Sequence, residues 1–307
     1  MKAVTIHDYG GPDQLVYEDV PIPSFGPEEI LVRVQATSIN PVDWKTREGY
    51  AKERRKVDFP FILGWDVAGA VEDTGTLVSR FKKGDLVFAL ADIARNGAEA
   101  EYVVTKTDAA ARAPSNIPLE QAAAVPLTSL TAWMMLFDKA HLKADQKILI
   151  HAASGGVGSF AVQLAKIAGA YVAGTTSEAN IDFVRSLGAD GVINYKEEDF
   201  SSKLKDYDVV LDTIGGETQK KSFNILKKGG VLVTTVKPET EAAKEYNIKL
   251  EGGMVMPNGA RLQEIAGLID EGKIKVHVER EFDLKEVKAA QEYSKTGKVR
   301  GKLVVKV

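Results

Sequence analysis

The stretch that most constrains the fold is HAASGGVG, residues 151–158, which lies between the apolar run KILI and the amphipathic run SFAVQLAK. Glycine loses more backbone freedom on folding than any other residue, so this cluster needs a structural reason. A strand, a glycine-rich turn and a helix in this order meet the needs of a dinucleotide site, because the backbone approaches a pyrophosphate and the helix N-terminus faces it. Ser154, Gly155, Gly156, Val157 and Gly158 are therefore predicted to bind a cofactor. A plain glycine-capped turn is the alternative.

From residue 122 onward, short apolar strands alternate with stretches of helical spacing. This alternation predicts an α/β domain over residues 122–262, a doubly wound parallel sheet with both faces covered. Residues 1–121 carry short β-branched segments separated by Gly and Pro, which predicts a compact, mostly β domain. The final runs VHVEREFDL and GKLVVKV alternate as the first domain does. We therefore predict that the chain crosses back and that residues 263–307 complete the first domain.

Composition excludes several classes of function. The net charge is −3 with no blocks of one sign, so neither nucleic acid nor an anionic membrane is indicated as a partner. The nearest basic cluster is read as a solvated loop, with a polyanion site as the alternative; it consists of Lys52, Arg54, Arg55 and Lys56. The absence of cysteine excludes disulfides and thiolate chemistry. With no signal-like leader and no apolar run of about 18 residues, a soluble, cytoplasmic protein is expected.

The choice between NAD and NADP is expected at the end of the strand after the glycine turn. There YVAGT runs into Thr176 and Ser177, whose hydroxyls can donate to a 2′-phosphate that a carboxylate would repel. Glu178 follows one position later and leaves the alternative open. Asn180 and Tyr195 are further candidates near the adenosine phosphate, with a helix surface or a strand end as the alternative reading. NADP(H) is favoured.

Together with the glycine turn, several further stretches resemble the zinc-independent quinone oxidoreductases of the medium-chain dehydrogenase/reductase superfamily. The resemblance covers essentially the whole chain. It rests on INPVDWKTREG, FILGWDVAGAVED, RFKKGDLVFAL, PLTSLTAWMML, SLGADGVINY and GKVRGKLVV. It implies a Rossmann domain joined to a GroES-like domain, in agreement with the fold class indicated by the strand and helix pattern.

The metal site is where this chain departs from the zinc-dependent relatives. Those proteins place a cysteine where this sequence has Asn40, and a Gly-His-Glu motif where it has Gly64, Trp65 and Asp66. A catalytic zinc normally takes three protein ligands of His, Cys or carboxylate type, and Asp66 alone does not supply them. No metal is expected.

The resemblance also implies roles for individual residues. Asn40 and Asp43 are expected at the floor of the substrate site, and Thr131 is expected to hydrogen-bond the nicotinamide carboxamide region. Tyr50 is a candidate donor to the substrate oxygen. For Asp43 and Tyr50 a helix cap and a rim aromatic are equally good readings.

Two more residues and one strand follow from the same resemblance. Ile214 is expected beside the nicotinamide ribose, and Arg300 is a candidate cofactor contact, with a surface charge as the alternative. A homodimer is expected through an edge strand of the Rossmann sheet, with GVLVTTV as the candidate strand.

These observations favour an NADPH-dependent enzyme that transfers hydride to a small-molecule quinone or α,β-unsaturated carbonyl without a metal. Two rivals remain. One is an NADPH-binding redox sensor with little catalysis, and the other is an enzyme of the alcohol dehydrogenase type.

Overall fold

A computed structural model describes residues 1–53 and 55–307, so Arg54 of the basic cluster lies outside the described residues. The chain divides into two compact units. Unit 1 comprises Met1–Leu127, Met256–Gly272 and Val276–Val307, and unit 2 comprises Thr128–Val255 and Lys273–Lys275. The division predicted from sequence was 1–121 with 263–307 for the first domain and 122–262 for the second.

Unit 1 is mostly β structure with a few short helices. Its strands are β1 (Lys2–Ile6), β2 (Leu15–Asp19), β3 (Glu29–Ile39), β4 (Phe61–Ile62), β5 (Asp66–Thr74), β6 (Leu86–Leu90), β7 (Tyr102–Lys106), β8 (Ala110–Arg112), β15 (Val278–Asp283) and β16 (Lys302–Lys306). Its helices are α1 (Pro41–Arg47), α2 (Leu119–Ala122), α9 (Gly259–Asp270) and α10 (Val287–Lys295), with single 3₁₀ turns at Pro12–Gln14, Thr107–Ala109 and Leu284–Glu286.

The larger sheet of unit 1 has the order β15-β16-β3-β5-β6-β8, and β7 pairs with β3. The C-terminal strand β16 runs antiparallel to β3, with Val304 opposite Ser38. The C-terminal segment therefore adds to the same sheet as β3. Strands β2, β1 and β4 form a second, three-stranded sheet.

The returning segment also completes a hydrophobic core. Val4 and Ile39 from the N-terminal part pack with Phe282, Val287 and Leu303 from the C-terminal part, and all five are buried. Each such side chain contributes roughly 1.5–3 kcal/mol through removal of apolar surface from water. This core holds β16 against β3 and thereby fixes the position of Lys302, which directly precedes Leu303.

Unit 2 contains the alternating strands and helices. Its strands are β9 (Lys147–Ile150), β10 (Tyr171–Thr176), β11 (Gly191–Asn194), β12 (Tyr207–Asp212), β13 (Leu226–Thr234) and β14 (Lys249–Gly252). Its helices are α4 (Gly156–Ile167), α5 (Ile181–Ser186), α6 (Phe200–Lys203), α7 (Gly216–Phe223) and α8 (Thr240–Glu245), with a 3₁₀ turn at Glu178–Asn180. Helix α3 (Pro126–Trp133) continues into a π-helical segment, Met134–Lys139, at the start of the unit.

The sheet of unit 2 is parallel throughout and has the order β11-β10-β9-β12-β13-β14. Numbered from β9, this is the order 3-2-1-4-5-6 of the Rossmann fold, which confirms the doubly wound parallel sheet. The chain crosses from one half of the sheet to the other at β9, the strand that leads into the glycine turn.

One prediction about this sheet is wrong. The GVLVTTV run forms most of β13, which has β12 on one side and β14 on the other. It is therefore an interior strand, and its apolar character reflects burial on both faces. The edge strands of the sheet are β11 and β14.

The helices are short. The α-helices α4 and α9 have 12 residues each. Within the described part of the chain, no helix is both long enough and apolar enough to cross a membrane.

Candidate functional site

The glycine turn of unit 2 is a close backbone contact between the end of β9 and the start of α4. Ala152 adopts a positive φ of 49°, and the amide of Gly155 donates to the carbonyl of Ala152 over 2.9 Å. A Cβ atom added at Gly158 would lie 2.3 Å from that same carbonyl oxygen and 2.8 Å from the Ala153 Cα. Position 158 therefore has to be glycine, because only a hydrogen atom fits between the turn and the helix.

The first turn of α4 offers backbone donors without a partner from its cap. Gly155 is the N-cap residue, and no side chain makes a capping hydrogen bond. The first N–H groups of an α-helix have no partner inside the helix, and its N-terminus carries a partial positive charge. Gly156, Val157 and Gly158 occupy these first positions. The arrangement fits the pyrophosphate of a dinucleotide.

Hydroxyl and amide groups gather beside this turn at the end of β10. The Ser154 hydroxyl accepts from Thr176 Oγ1 over 2.9 Å and from Asn180 Nδ2 over 3.4 Å, and Asn180 also lies 3.4 Å from Ser177 Oγ. The backbone amide of Tyr195 donates to the Thr176 carbonyl over 3.2 Å, and the Tyr195 side chain is exposed. Glu178 is exposed. The structure thus brings the four residues predicted around the adenosine phosphate together with Ser154 of the glycine turn.

Ile214 follows β12 in a turn that Asp212 holds. The Asp212 carboxylate accepts from the amides of Ile214 and Gly215, each over 2.9 Å, and from Gln219 Nε2 over 2.6 Å. This turn leaves the Ile214 side chain 54% exposed at the carboxyl end of the sheet. Thr131 lies on α3 and is nearly buried.

His151, next to the turn, has a structural role. Its two ring nitrogens contact Thr175 Oγ1 at 3.1 Å and Ser222 Oγ at 2.9 Å, and burial lowers the pKa of the ring to about 4. The imidazole is therefore neutral at physiological pH and fully hydrogen-bonded, so it is not available as a proton carrier.

A buried polar cluster occupies unit 1 where β3, β5 and β16 meet. Lys302 Nζ donates to Asn40 Oδ1 over 2.5 Å and to the Ile39 carbonyl over 2.8 Å, and it lies 3.6 Å from Asp66 Oδ2. Asp66 also accepts from Asn40 Nδ2 over 2.7 Å and from Ser38 Oγ over 2.5 Å. All four side chains are buried. We call Ser38, Asn40, Asp66 and Lys302 the lysine cluster.

The two charged side chains of the lysine cluster, Lys302 and Asp66, compensate each other. The other oxygen of Asp66 accepts from the Leu127 amide over 2.7 Å, so the buried carboxylate has both oxygens occupied. Burial lowers the pKa of Lys302, whereas Asp66 and Asp43 oppose that change. A buried charge is tolerated when it is paired and hydrogen-bonded in this way.

Asp43 adjoins this cluster at the start of α1. Its Oδ2 accepts from the Asn40 amide over 2.6 Å, as expected of a residue in the first helical turn that closes onto the N-cap. Its Oδ1 is buried and has no hydrogen-bond partner among the described residues. Burial, and then the nearby Glu99, raise the pKa of Asp43 well above the ordinary value.

A second buried acid lies close by. Glu99 accepts from Gln291 Nε2 over 3.0 Å, and Gln291 in turn accepts from the buried Arg47 over 2.8 Å. Burial raises the pKa of Glu99 to about 7, although Gln291 and Arg47 act in the opposite direction.

Tyr50 and Arg300 lie elsewhere in unit 1. The Tyr50 ring is 71% exposed and packs edge-on against Trp44, with 6.1 Å between ring centroids. Arg300 precedes β16, and its backbone amide donates to Glu279 over 2.9 Å. The structure thus brings Asn40 and Asp43 together and gives Tyr50 and Arg300 separate positions. Their roles remain predictions.

Sequence reasoning missed Lys302, Ser38 and Glu99. The available signal was a lysine directly before the apolar run LVV, since a buried strand seldom contains an unpaired lysine. The partners of that lysine were not visible, because Asn40 lies 262 positions away in the chain.

Comparison with known proteins agrees with this architecture. Residues 26–115 match the alcohol dehydrogenase GroES-like domain family, and residues 187–305 match the zinc-binding dehydrogenase family. The chain is 35% identical over 322 residues to the chloroplast envelope quinone oxidoreductase homolog of Arabidopsis thaliana, covering 99% of this chain and 98% of the relative. It is 33% identical over 317 residues to 2-methylene-furan-3-one reductase of Solanum lycopersicum, covering 99% of this chain and 79% of the relative.

Solved structures give the same result. The quinone oxidoreductase of Coxiella burnetii superposes with a TM-score of 0.95 at 35% identity, covering 100% of this chain and 99% of that one. The Escherichia coli quinone oxidoreductase complexed with NADPH superposes with a TM-score of 0.89 at 28% identity over 100% of both chains. The expected GroES-like and Rossmann domains are confirmed. The chain belongs to the quinone oxidoreductase group of the medium-chain dehydrogenase/reductase superfamily.

Proposed function

We propose that this protein is an NADPH-dependent reductase that transfers hydride to quinones or α,β-unsaturated carbonyls without a metal ion. The observation that carries the proposal is the lysine cluster, together with the glycine turn. In the lysine cluster, the Lys302 ammonium contacts Asn40 and Asp66, which stand at positions where the zinc-dependent relatives have metal ligands. The glycine turn provides a dinucleotide site. The relatives named for quinone and furanone reduction support the two acceptor classes.

The cofactor is assigned to unit 2. The N–H groups of Gly156, Val157 and Gly158, with the Ser154 hydroxyl, would hold the pyrophosphate. Ile214 would pack beside the nicotinamide ribose and Thr131 would bind the carboxamide, while Arg300 of unit 1 remains a candidate contact. When bound, the reduced nicotinamide supplies the hydride.

NADP is assigned over NAD because of the groups at the end of β10. Thr176, Ser177 and Asn180 present hydroxyls and an amide there, and Glu178 is exposed rather than hydrogen-bonded to this cluster. Tyr195 adds a fourth polar group at the same corner. Such donors match a 2′-phosphate, which a carboxylate would repel.

Metal independence is supported by the chemistry of the side chains present. At the positions compared with zinc ligands, Asn40 is an amide engaged by Lys302 and Trp65 is an indole whose Nε1 donates to the Arg95 carbonyl over 3.1 Å. The remaining carboxylate, Asp66, already lies beside the Lys302 ammonium. This set lacks the three zinc-binding donors of a catalytic site.

At the acceptor site, the protein would position the carbonyl group of the acceptor, and one proton would be transferred to the reduced product. Asn40, fixed by Lys302 and Asp66, forms part of the floor, and the exposed Tyr50 hydroxyl donates to the carbonyl oxygen as negative charge develops on it. Asp43 lies beside Asn40 at this floor, where burial raises the pKa of its carboxyl group above the ordinary value. The proton that completes the reduction comes from solvent or from such an acid. Hydride and proton together complete a two-electron reduction.

The first experiment is an assay of NADPH and NADH oxidation with a benzoquinone, a naphthoquinone and an alkenal, and of NADP⁺ reduction with a primary alcohol. Turnover of a quinone or an alkenal with NADPH, unchanged by a chelator, supports the proposal. Tight NADPH binding without turnover of any acceptor would instead indicate a redox sensor. Chelator-sensitive oxidation of the alcohol would indicate an alcohol dehydrogenase.

We also propose that the protein forms a homodimer and is located in the cytoplasm. Among residues 1–53 and 55–307, strand β14 pairs with β13 alone, so the outer side of β14 is the edge at which a second copy would add. Light scattering of the purified protein tests the dimer. Cell fractionation tests the location, since the Arabidopsis relative is named for the chloroplast envelope.

A further inference from the structure

Arg55 in unit 1 is a half-buried cation that lacks a carboxylate partner. Its NH2 donates to Thr46 Oγ1 over 2.7 Å, and its Cζ lies 5.5 Å from the centroid of the Trp65 ring. Its Nε is buried without a hydrogen-bond partner, and NH1 has no protein acceptor among residues 1–53 and 55–307. A guanidinium carries five N–H donors, so most of them make no hydrogen bond to the described part of the protein.

Two other arginines of the same unit do have a carboxylate partner. The buried Arg47 lies 3.0 Å from the Glu48 carboxylate, and Arg95 pairs with Glu29. Arg55 has no acidic oxygen within 4.0 Å in the described part of the chain. Burial lowers the pKa of Arg55, and only the more distant Tyr9 and Asp92 oppose that change. The positive charge is thus desolvated and poorly compensated.

The place of Arg55 connects it with the acceptor site. It covers Trp65, which is fully buried and is the residue found where zinc-dependent relatives carry a metal-binding histidine. Trp65 directly precedes Asp66 of the lysine cluster. Thr46, to which Arg55 donates, lies on α1, the helix that has Asn40 as its N-cap and Asp43 in its first turn. The guanidinium is therefore held against the helix that begins at the proposed floor of the acceptor site.

We propose that Arg55 binds a carboxylate carried by the electron-poor acceptor, so that acceptors with such a group are preferred over their neutral counterparts. This inference rests on the proposed function. Arginine suits the task because its planar fork offers two parallel N–H donors to a carboxylate, and Trp65 fixes one face of that fork. A charged hydrogen bond to a group that would otherwise lack an acceptor adds most where water is partly excluded.

The test compares a naphthoquinone with the same ring carrying a propionate side chain, in wild type, Arg55→Gln, Arg55→Lys and the control Lys52→Gln. Lys52 is an exposed cation of the same segment. We expect Arg55→Gln to raise KM for the propionate acceptor at least tenfold and KM for the neutral acceptor less than threefold. Arg55→Lys should restore part of the difference, because it keeps the charge but loses the fork. Lys52→Gln should change neither value.

Equal effects of Arg55→Gln on both acceptors would overturn the inference and leave Arg55 as a cover for Trp65. If wild type reduces neither acceptor, the proposed function fails, and binding of the propionate acceptor is measured by quenching of tryptophan fluorescence. In that case, equal affinity of wild type and Arg55→Gln overturns the role of Arg55 separately. A tenfold weaker binding to the variant supports it.

Discussion

Lys302 and Asp66 form a buried ion pair in unit 1, with 3.6 Å between Nζ and Oδ2. Neither side chain reaches solvent to any extent, and the hydrogen bonds of Asn40 and Ser38 join them into one network. Because the pair links the C-terminal strand β16 to β3 and β5, removal of one partner affects both the fold of the unit and the floor of the proposed acceptor site.

Lys302→Met is expected to destabilise the protein by about 3–5 kcal/mol, because it leaves Asp66 buried without its cation. Urea unfolding of wild type and variant measures this change. Lys306→Met is the matched control, since Lys306 lies on the same strand but pairs at the surface with Glu281. That control should lose no more than about 1 kcal/mol. Similar losses in both variants would show that the buried pair has no special role.

The contribution of Glu99 to stability should fall as pH rises from about 4.5 to about 7, because its pKa is raised from 4.5 to about 7 in the folded protein. In this window the folded state keeps a proton on Glu99 that the unfolded state has released, so this contribution to the free energy of unfolding decreases with pH. Asp43, whose pKa is also raised, acts in the same direction. The buried His151, whose pKa is lowered from 6.5 to about 4, acts in the opposite direction. The contribution of Glu99 is at most about 3 kcal/mol.

Glu99→Gln tests the assignment, because an amide does not titrate and still accepts from Gln291. Between pH 4.5 and 7.5, the unfolding free energy of wild type minus that of the variant should decrease as pH rises. Glu101→Gln is the control, since Glu101 is only half-buried and shows no comparable enclosure. Parallel curves for wild type and Glu99→Gln would contradict the role of Glu99.

Local patterns predicted the order of the elements, whereas contacts distant in sequence were not predictable. The glycine turn and the return of β16 could be predicted from the sequence, because each depends on residue types within one short segment. The lysine cluster could not be predicted, because Lys302 and Asn40 are 262 positions apart in the chain. The edge strand β14 was missed for a different reason. Its sequence KLEG has a single large apolar residue, Leu250, so the more apolar β13 was mistaken for the edge.

Gly158→Ala should weaken NADPH binding at least tenfold and destabilise unit 2 by about 1–3 kcal/mol, the usual cost of overpacking. The reason is steric, since the new methyl group would lie 2.3 Å from the Ala152 carbonyl oxygen and would push α4 away from the turn. Fluorescence titration with NADPH and thermal unfolding measure the two effects.

Gly267→Ala is the matched control for that change. Gly267 lies inside α9, and nothing is within 4 Å of the position that its Cβ would take. Alanine should therefore stabilise the protein by about 0.4–1 kcal/mol and leave NADPH binding unchanged. If both variants bound NADPH as wild type does, the turn at Gly158 would not be the phosphate site.

Ser177→Asp should reverse the preference between the two nicotinamide cofactors. A carboxylate at the end of β10 repels a 2′-phosphate and accepts from the 2′-hydroxyl of NADH, so the ratio of NADPH to NADH affinity should fall at least tenfold. Ser186→Asp adds the same charge on the exposed end of α5 and controls for net charge. Titration with both cofactors gives the ratios. An equal ratio in wild type and Ser177→Asp would remove Ser177 from the 2′-phosphate site while leaving the pyrophosphate assignment at α4 untouched, because that assignment depends on backbone groups which neither substitution alters.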